Sequence, residues 1–378
     1  MNYISRLDEA VKLYTQEIIL SSDPLYPLWN RENIIFRKQP KWNYIDSCMI
    51  TAVLGLYEYN GDEKLLDFAV KFISAYIDEN GCIPTLNFSD FNLDNINGGK
   101  NLLALYRMTG NKKLFNAAHR LADSLSEHPR LRCGNFWHKA IYPHQIWLDG
   151  SYMAFPFMTE YSRLSHDDSM LEDALNQLRI IRKLMKDKKT GLYYHGYDET
   201  RTMIWADRET GLSSEFWLRS MGWLCAALAD MCGLLPDNNE ISAMLSDLLE
   251  ALASCCTPDG LLLQLPVRSE LSQNYPETSG TLLFAYSALK SYRLGKTSPN
   301  IKKAGEKALS AVIENYIILE KGKAPLLKNI CLMAGLGNNR NGSAEYYLSE
   351  PITENDAKGI APLIMAYTEL MKGDRIND

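Results

Sequence analysis

The sequence predicts an all-α fold, an (α/α)6 six-hairpin barrel closed as a toroid. Three observations carry the prediction. Apolar residues recur at i, i+3 and i+4 spacing through about twelve stretches. Short polar connections return at intervals of about 50 to 70 residues, the size of a helix pair plus a longer loop. Every second connection is long. Twelve antiparallel helices can close as six inner and six outer ones, whereas an open array would need polar capping faces that the pattern does not offer.

The helices are expected near 2–20, 43–59, 63–80, 95–109, 111–128, 151–165, 167–188, 215–234, 238–256, 276–294, 299–318 and 353–372. The short connections are Tyr59-Asn60-Gly61-Asp62-Glu63, Met108-Thr109-Gly110-Asn111-Lys112, Leu164-Ser165-His166-Asp167-Asp168, Leu235-Pro236-Asp237-Asn238-Asn239 and Leu294-Gly295-Lys296-Thr297-Ser298. Each ends one helix and caps the next, because Gly and Asn accept left-handed backbone while Asp, Asn and Ser side chains accept hydrogen bonds from free helical N–H groups. Long connections fall at 21–42, 81–94, 129–150, 189–214, 257–275 and 319–352. An up-and-down arrangement gathers them all at one end, where function belongs. The helices starting near 43, 95, 151, 215, 276 and 353 then begin at this mouth, which brings Asp94, Asp149 and Glu215 to its rim.

One all-helical toroid can absorb 378 residues, so a single domain over 1–378 is expected, with disorder only at the tail. A net charge of −6 leaves no basic footprint for nucleic acid. The start, Met1-Asn2-Tyr3-Ile4-Ser5-Arg6, lacks a signal-peptide pattern, and no stretch approaches the roughly 18 apolar residues of a membrane span. A cytoplasmic protein that binds neither nucleic acid nor membrane is expected; nothing in the pattern decides between a monomer and a homo-oligomer. Cys48, Cys82, Cys133, Cys225, Cys232, Cys255, Cys256 and Cys331 lack zinc-site spacing and are read as buried reduced thiols. No His-x-x-x-His pair, phosphate loop or nucleophile elbow stands out, so neither metal nor cofactor is expected.

The long connections are rich in aromatic, His and Arg residues. Phe136-Trp137-His138-Lys139 and Tyr142-Pro143-His144-Gln145-Ile146-Trp147 share one; Tyr193-Tyr194-His195-Gly196-Tyr197-Asp198 and Trp205-Ala206-Asp207-Arg208 share another. A sugar stacks its C–H faces on aromatic rings and needs fixed partners for its hydroxyls, so carbohydrate is the favoured ligand. Chemistry on a sugar commonly takes one protonated and one ionised carboxyl. Asp94 and Asp149 form the candidate pair. The plain alternative is that both merely cap helices. A helix N-terminus also lowers a carboxyl pKa, opposite to what a proton donor needs, unless desolvation by Trp147 or a second carboxylate prevails. Three of the six His residues, His138, His144 and His195, lie in mouth loops as candidate contacts or as ordinary core histidines. Arg219 follows Glu215 by one turn. It is either an i, i+4 partner of Glu215 or, between Trp217 and Trp223 on an inner helix, a receptor for a substrate carboxylate. The polar groups of Ser343-Ala344-Glu345-Tyr346-Tyr347 and Glu354-Asn355-Asp356 are read as satisfying helix ends.

At these residues the chain resembles the unsaturated rhamnogalacturonyl hydrolases of glycoside hydrolase family 105, relatives of the unsaturated glucuronyl hydrolases. The resemblance runs from Trp42 and Tyr44 to Asn355-Asp356. It is most specific at Leu93-Asp94-Asn95-Ile96-Asn97 with Lys100, Phe136-Trp137-His138-Lys139, Trp147-Leu148-Asp149-Gly150 with Tyr152-Met153, and Phe216-Trp217-Leu218-Arg219 with Gly222-Trp223. It implies hydration of the vinyl ether in a 4,5-unsaturated uronic acid at the non-reducing end of lyase-cut pectin-type oligosaccharides. Asp149 would protonate C4 and assist water addition at C5, with Asp94 as the second acidic group. His138, Trp147, His195, Trp217, Arg219, Trp223 and Tyr44 would line the site. Two other readings remain open at this point: an epimerase working through paired His bases, and a non-catalytic glycan- or peptide-binding helical repeat.

Overall fold

The computed structural model describes residues 3–377, with side chains as far as Gly373. The expected helix start at Asn2, the outer limits of the 1–378 domain and the last residue of the tail lie outside the described residues.

Twelve long helices are present among the described residues: α1 (Tyr3–Tyr14, continued by a π turn Thr15–Ile19), α2 (Tyr44–Asn60), α3 (Glu63–Ser74), α4 (Gly99–Thr109), α5 (Lys112–Ser126), α6 (Gly150–Ser165), α7 (Ser169–Met185), α8 (Leu218–Leu234), α9 (Asn239–Ser254), α10 (Thr278–Arg293), α11 (Pro299–Tyr316) and α12 (Ala357–Asn377). Their burial separates two layers. In α6 every residue from Gly150 to Ser162 is buried, and in α8 every one from Leu218 to Ala229. By contrast, α5 buries only the stripe Leu114, Ala117, Ala118, Leu121, Ala122 and Leu125. A helix apolar all round belongs between other helices, and a striped one belongs outside. Even-numbered helices pack on one another in chain order, and α12 closes the ring by packing against both α10 and α2. Helix α1 takes the last outer seat beside α11 and α12. The result is a closed α/α toroid.

The short turns behave as expected. Gly61 and Gly110 adopt positive φ (70° and 69°), and Asp62, Asn111 and Asn238 cap the helices that follow. At the third turn the stop is His166 (φ 58°), and Asp167 rather than Asp168 accepts from Ser169 N–H. Three helix starts move. Helix α8 begins at Leu218, not 215, because Ser213 accepts from Gly196 N–H, Ser214 donates to the Gly342 carbonyl, and Glu215 pairs with Arg268. Helix α4 begins at Gly99, behind a 3-10 turn Leu93–Ile96, and α12 begins at Ala357, behind Asn355 at φ 51°. The long connections also hold pieces too short for a periodic signal: helices Arg31–Phe36 and Ala344–Ser349, and an antiparallel ribbon of β1 (Gln145–Trp147) and β2 (Gly196–Asp198).

All eight cysteines are free, but only Cys48, Cys225, Cys232 and Cys331 are buried. Cys133 is exposed, and the other three are partly so. The expectation of uniformly buried thiols is therefore corrected: Cys133 sits in a surface turn and Cys255 and Cys256 at the end of α9. Among the described residues no helix is long and apolar enough to cross a membrane, and no group of three His, Cys, Asp or Glu residues is placed to hold a metal.

Candidate active site

The β1–β2 ribbon builds the centre of the mouth. Trp147 pairs with Gly196, and Leu148 N–H donates to the His195 carbonyl (2.9 Å), so Asp149 and His195 meet at the ribbon's end. His195 Nε2 stands 3.2 Å from Asp149 Oδ2. On its other side His195 Nδ1 lies 2.6 Å from the Tyr347 hydroxyl. That hydroxyl, its pKa raised well above the usual phenol value by burial, keeps its proton and offers it to Nδ1. Nε2 is thereby left carrying the N–H, beside Asp149 but without a well-aligned hydrogen bond to it. Asp149 occupies the N-cap position of α6, yet its side chain makes no capping bond. The helix-capping alternative fails there, and Oδ2 has no well-aligned hydrogen-bond donor.

Asp94 comes from the 3-10 turn, which is capped by Asn92 and pinned by Leu93 N–H donating to the His138 carbonyl (3.1 Å). Its carboxylate meets Lys139 Nζ at 2.6 Å and His138 Nε2 at 3.7 Å. Burial disfavours the Lys139 ammonium, but Asp94 overrides it and raises the pKa, so the pair is a salt bridge inside the mouth. Asp94 does not cap a helix either.

Aromatic rings join the two carboxylates. His138 and Tyr142 stack on Trp147 at 4.7 and 4.4 Å, and Trp217 lies against His195 at 4.7 Å. The indole N–H groups of Trp147 and Trp217 are fixed by Gln145 Oε1 (3.0 Å) and Gln264 Oε1 (3.1 Å). The cavity between them has a volume of about 190 Å³. Asp94, Asp149, His138, Trp147, Trp217, Arg219, Trp223 and Tyr44 all line it, while His195 stands directly behind Asp149. His144 does not reach it and packs on Trp137 (4.6 Å). Glu215 is corrected: it is buried, bound to Arg268 at 2.6 and 2.9 Å, and neither lines the cavity nor pairs with Arg219. Arg219 instead donates to the Cys331 carbonyl and to Ser279 Oγ (3.4 Å), with its guanidinium 4.9 Å from the Trp217 ring.

Sequence reasoning missed Glu32, Lys139, Tyr142, Met153, Met333, Ala334 and Arg340 in the wall. Lys139 and Tyr142 stand beside His138 in the same aromatic connection, a signal that was available. Glu32, held by Lys358 (2.9 Å) and Lys38 (3.2 Å), and Arg340, whose guanidinium donates to Met333 Sδ at 3.5 Å, come from long connections without a local pattern.

Two opposing influences act on Asp149. Burial pushes its carboxyl up, but the neighbouring imidazole of His195, followed by that of His138, carries it below the usual carboxylate value. His138 is itself pushed down to about 4 by burial, against the pull of Asp94, and is neutral near pH 7. Whether a proton stays on Asp149 therefore depends on what the cavity holds. An anionic ligand in the cavity favours its residence on Asp149, because a second negative charge raises the carboxyl pKa.

A closed α/α barrel whose mouth sets two carboxylates among stacked rings has the parts of a glycoside hydrolase. The comparisons with known proteins agree. Residues 27–373 match the model of Glycosyl Hydrolase Family 88. A solved family 105 glycoside hydrolase of Clostridium acetobutylicum (C. acetobutylicum ATCC 824) is 34% identical, with 98% of this chain and 99% of that one covered at a TM-score of 0.86. A protein of Agrobacterium fabrum is 39% identical over 228 residues, 57% of this chain and 97% of its own length. The unsaturated rhamnogalacturonyl hydrolase YesR of Bacillus subtilis is 24% identical over 292 residues, 74% of this chain and 77% of its own length. The chain belongs to the family 88 and family 105 group of glycoside hydrolases.

Proposed function

We propose that the enzyme removes the 4,5-unsaturated uronic acid, an unsaturated galacturonyl group, from the non-reducing end of lyase-generated rhamnogalacturonan or pectin oligosaccharides by hydrating its vinyl ether. The observation that carries the reading is the Asp149–His195–Tyr347 chain facing Asp94 across a cavity walled by aromatic rings. The name of the Bacillus relative supports the same substrate class.

Asp149 delivers a proton to C4. Water then adds at C5, with the Asp149 carboxylate accepting its proton, so the group acts first as acid and then as base. The resulting hemiketal opens by breaking the bond from C5 to the ring oxygen, which leaves a C5 ketone and a hemiacetal at C1; the hemiacetal collapses to an aldehyde and releases the neighbouring sugar, leaving an open keto-uronate. The water's proton thus restores Asp149 to its acid form, and His195, with its tautomer set by Tyr347, holds the carboxyl in place. Asp94, neutralised by Lys139, positions the ring. Trp147, Trp217 and Trp223 supply stacking faces, and Tyr44 and His138 supply polar contacts. Arg219 and Arg340 bring positive charge to a substrate that carries a carboxylate. No residue needs a metal or cofactor for these steps. A cytoplasmic site of action suits short imported oligosaccharides.

The substrate class is tested with unsaturated disaccharides that differ in the released sugar. Product analysis by mass spectrometry is expected to give rhamnose and keto-uronate at the highest kcat/KM from the rhamnogalacturonan disaccharide. Faster turnover of a disaccharide bearing an amino sugar would overturn the pectin assignment and leave the glycosidase in place.

A further inference from the structure

The barrel has a second cavity, at the end opposite the carboxylates. It opens among the C-terminal ends of the inner helices, at Glu58 of α2, Arg107 of α4, Glu160 of α6, Asp230 of α8, Lys290 of α10 and Glu369 of α12, and reaches inward to Lys100 at the start of α4; its volume is about 200 Å³. None of the groups that line the mouth cavity belongs to it.

Its acids are all paired. Lys372 holds Glu58 at 3.5 Å, Arg107 holds Glu160 and Lys290 holds Asp230 at 2.7 Å, while Glu369 is held at 2.6 Å by Arg293, which stands outside the cavity's lining. Each acid has its own cation. One cation is left over: Lys100, whose residue is 7% exposed and whose Nζ has no hydrogen-bond or ion-pair partner among the described residues. It stands over the face of the Tyr152 ring, 3.4 Å from Nζ to the ring centroid. A buried ammonium without a counter-charge is costly, and a ring face replaces only part of its hydration. Burial accordingly carries Lys100 down to about 8, although Asp230 pulls the other way.

A second observation concerns the space. Gly55 lies inside α2, where alanine would be the better helix former, and a Cβ built there meets nothing within 4 Å. The glycine is not required by a neighbour or by its backbone; its effect is to keep the cavity wall open. Leu54, Leu234 and Met365 make part of that wall apolar, which suits an organic ion better than a strongly hydrated inorganic one.

We propose that this second cavity binds a small organic monoanion, a carboxylate, which supplies the counter-charge that Lys100 lacks. Such a site would allow a sugar acid to act on the barrel from the side away from the catalytic mouth.

The test is calorimetric titration of the full-length protein with sodium acetate and sodium D-galacturonate, with neutral D-galactose as control. Three proteins are compared: wild type, Lys100→Met and Gly55→Leu. Gly55→Leu fills the cavity without touching a charge or the catalytic mouth, so it decides the matter if Lys100→Met does not fold. The expected result is that both carboxylates bind wild type and galactose does not. Affinity should fall at least tenfold in each folded variant, while Gly55→Leu keeps its glycosidase rate. Binding that survives in Gly55→Leu would place the anion in the catalytic mouth and overturn the proposal. So would the absence of carboxylate binding to wild type.

Discussion

Asp149 is a buried carboxyl whose protonation is set by burial against the imidazoles of His195 and His138. Removing its acidity in Asp149→Asn leaves the shape of the cavity unchanged and is expected to lower kcat by a factor of about 10² to 10⁴, the usual worth of general acid catalysis. A loss below tenfold in a steady-state assay would remove it from the proton-donor role. In the proposed mechanism Tyr347 acts through His195, whose Nδ1 its hydroxyl meets at 2.6 Å. In Tyr347→Phe the imidazole loses the donor that fixes its tautomer, and kcat is expected to fall about tenfold with KM little changed. The distinguishing readout is the kcat–pH profile, which should shift in this variant and stay in place if Tyr347 only fills space. Both carboxylates were legible in the sequence because each precedes an apolar inner helix. Tyr347 was read as satisfying a helix end, since a partner 152 positions away leaves no local trace.

At the scale of elements, the twelve helices were legible because inner and outer layers impose the same 3.6-residue period, and Gly61 and Gly110 mark their stops. The start of α8 was misread because Ser213-Ser214-Glu215 carries the composition of a helix cap while its side chains serve β2, the 319–352 connection and Arg268. The same limit hid the β1–β2 ribbon, three residues on each side, although it is what brings His195 to Asp149. The turn that carries Asp94 offers a test. A Cβ on Gly98 would lie 2.1 Å from the Trp42 ring, and Trp42 Nε1 is bonded to the Asn95 carbonyl in that turn (2.7 Å). Gly98→Ala is therefore expected to destabilise the protein by about 1 to 3 kcal/mol, the usual cost of overpacking, and to lower kcat by displacing Asp94. Denaturant titration with parallel kinetics checks it; unchanged stability would show that Trp42 moves aside freely.

For the whole molecule, closure of the ring by α12 against α2 places all six long connections at one mouth, and the catalytic assignment depends on that closure. The fold also predicts a pH response. Burial pushes His128 and His138 down to about 4 from the ordinary 6.5, against the pulls of the Trp137 carbonyl and Asp94 respectively. Below pH 6.5 the unfolded chain takes up these protons first, so this contribution to stability is complete above 6.5 and is lost as pH falls towards 4. Each histidine accounts for up to about 3 kcal/mol over that window. Urea unfolding at pH 7 and pH 4.5 should show the drop, and His128→Asn should lessen it; an equal drop in that variant would contradict the assignment for His128. The central claim is tested most directly by the ultraviolet absorbance of the unsaturated uronate in lyase-digested rhamnogalacturonan, followed with wild type and with Asp149→Asn. The account predicts that the band disappears with wild type and persists with the variant. Persistence with both proteins, or equal loss with both, would contradict it.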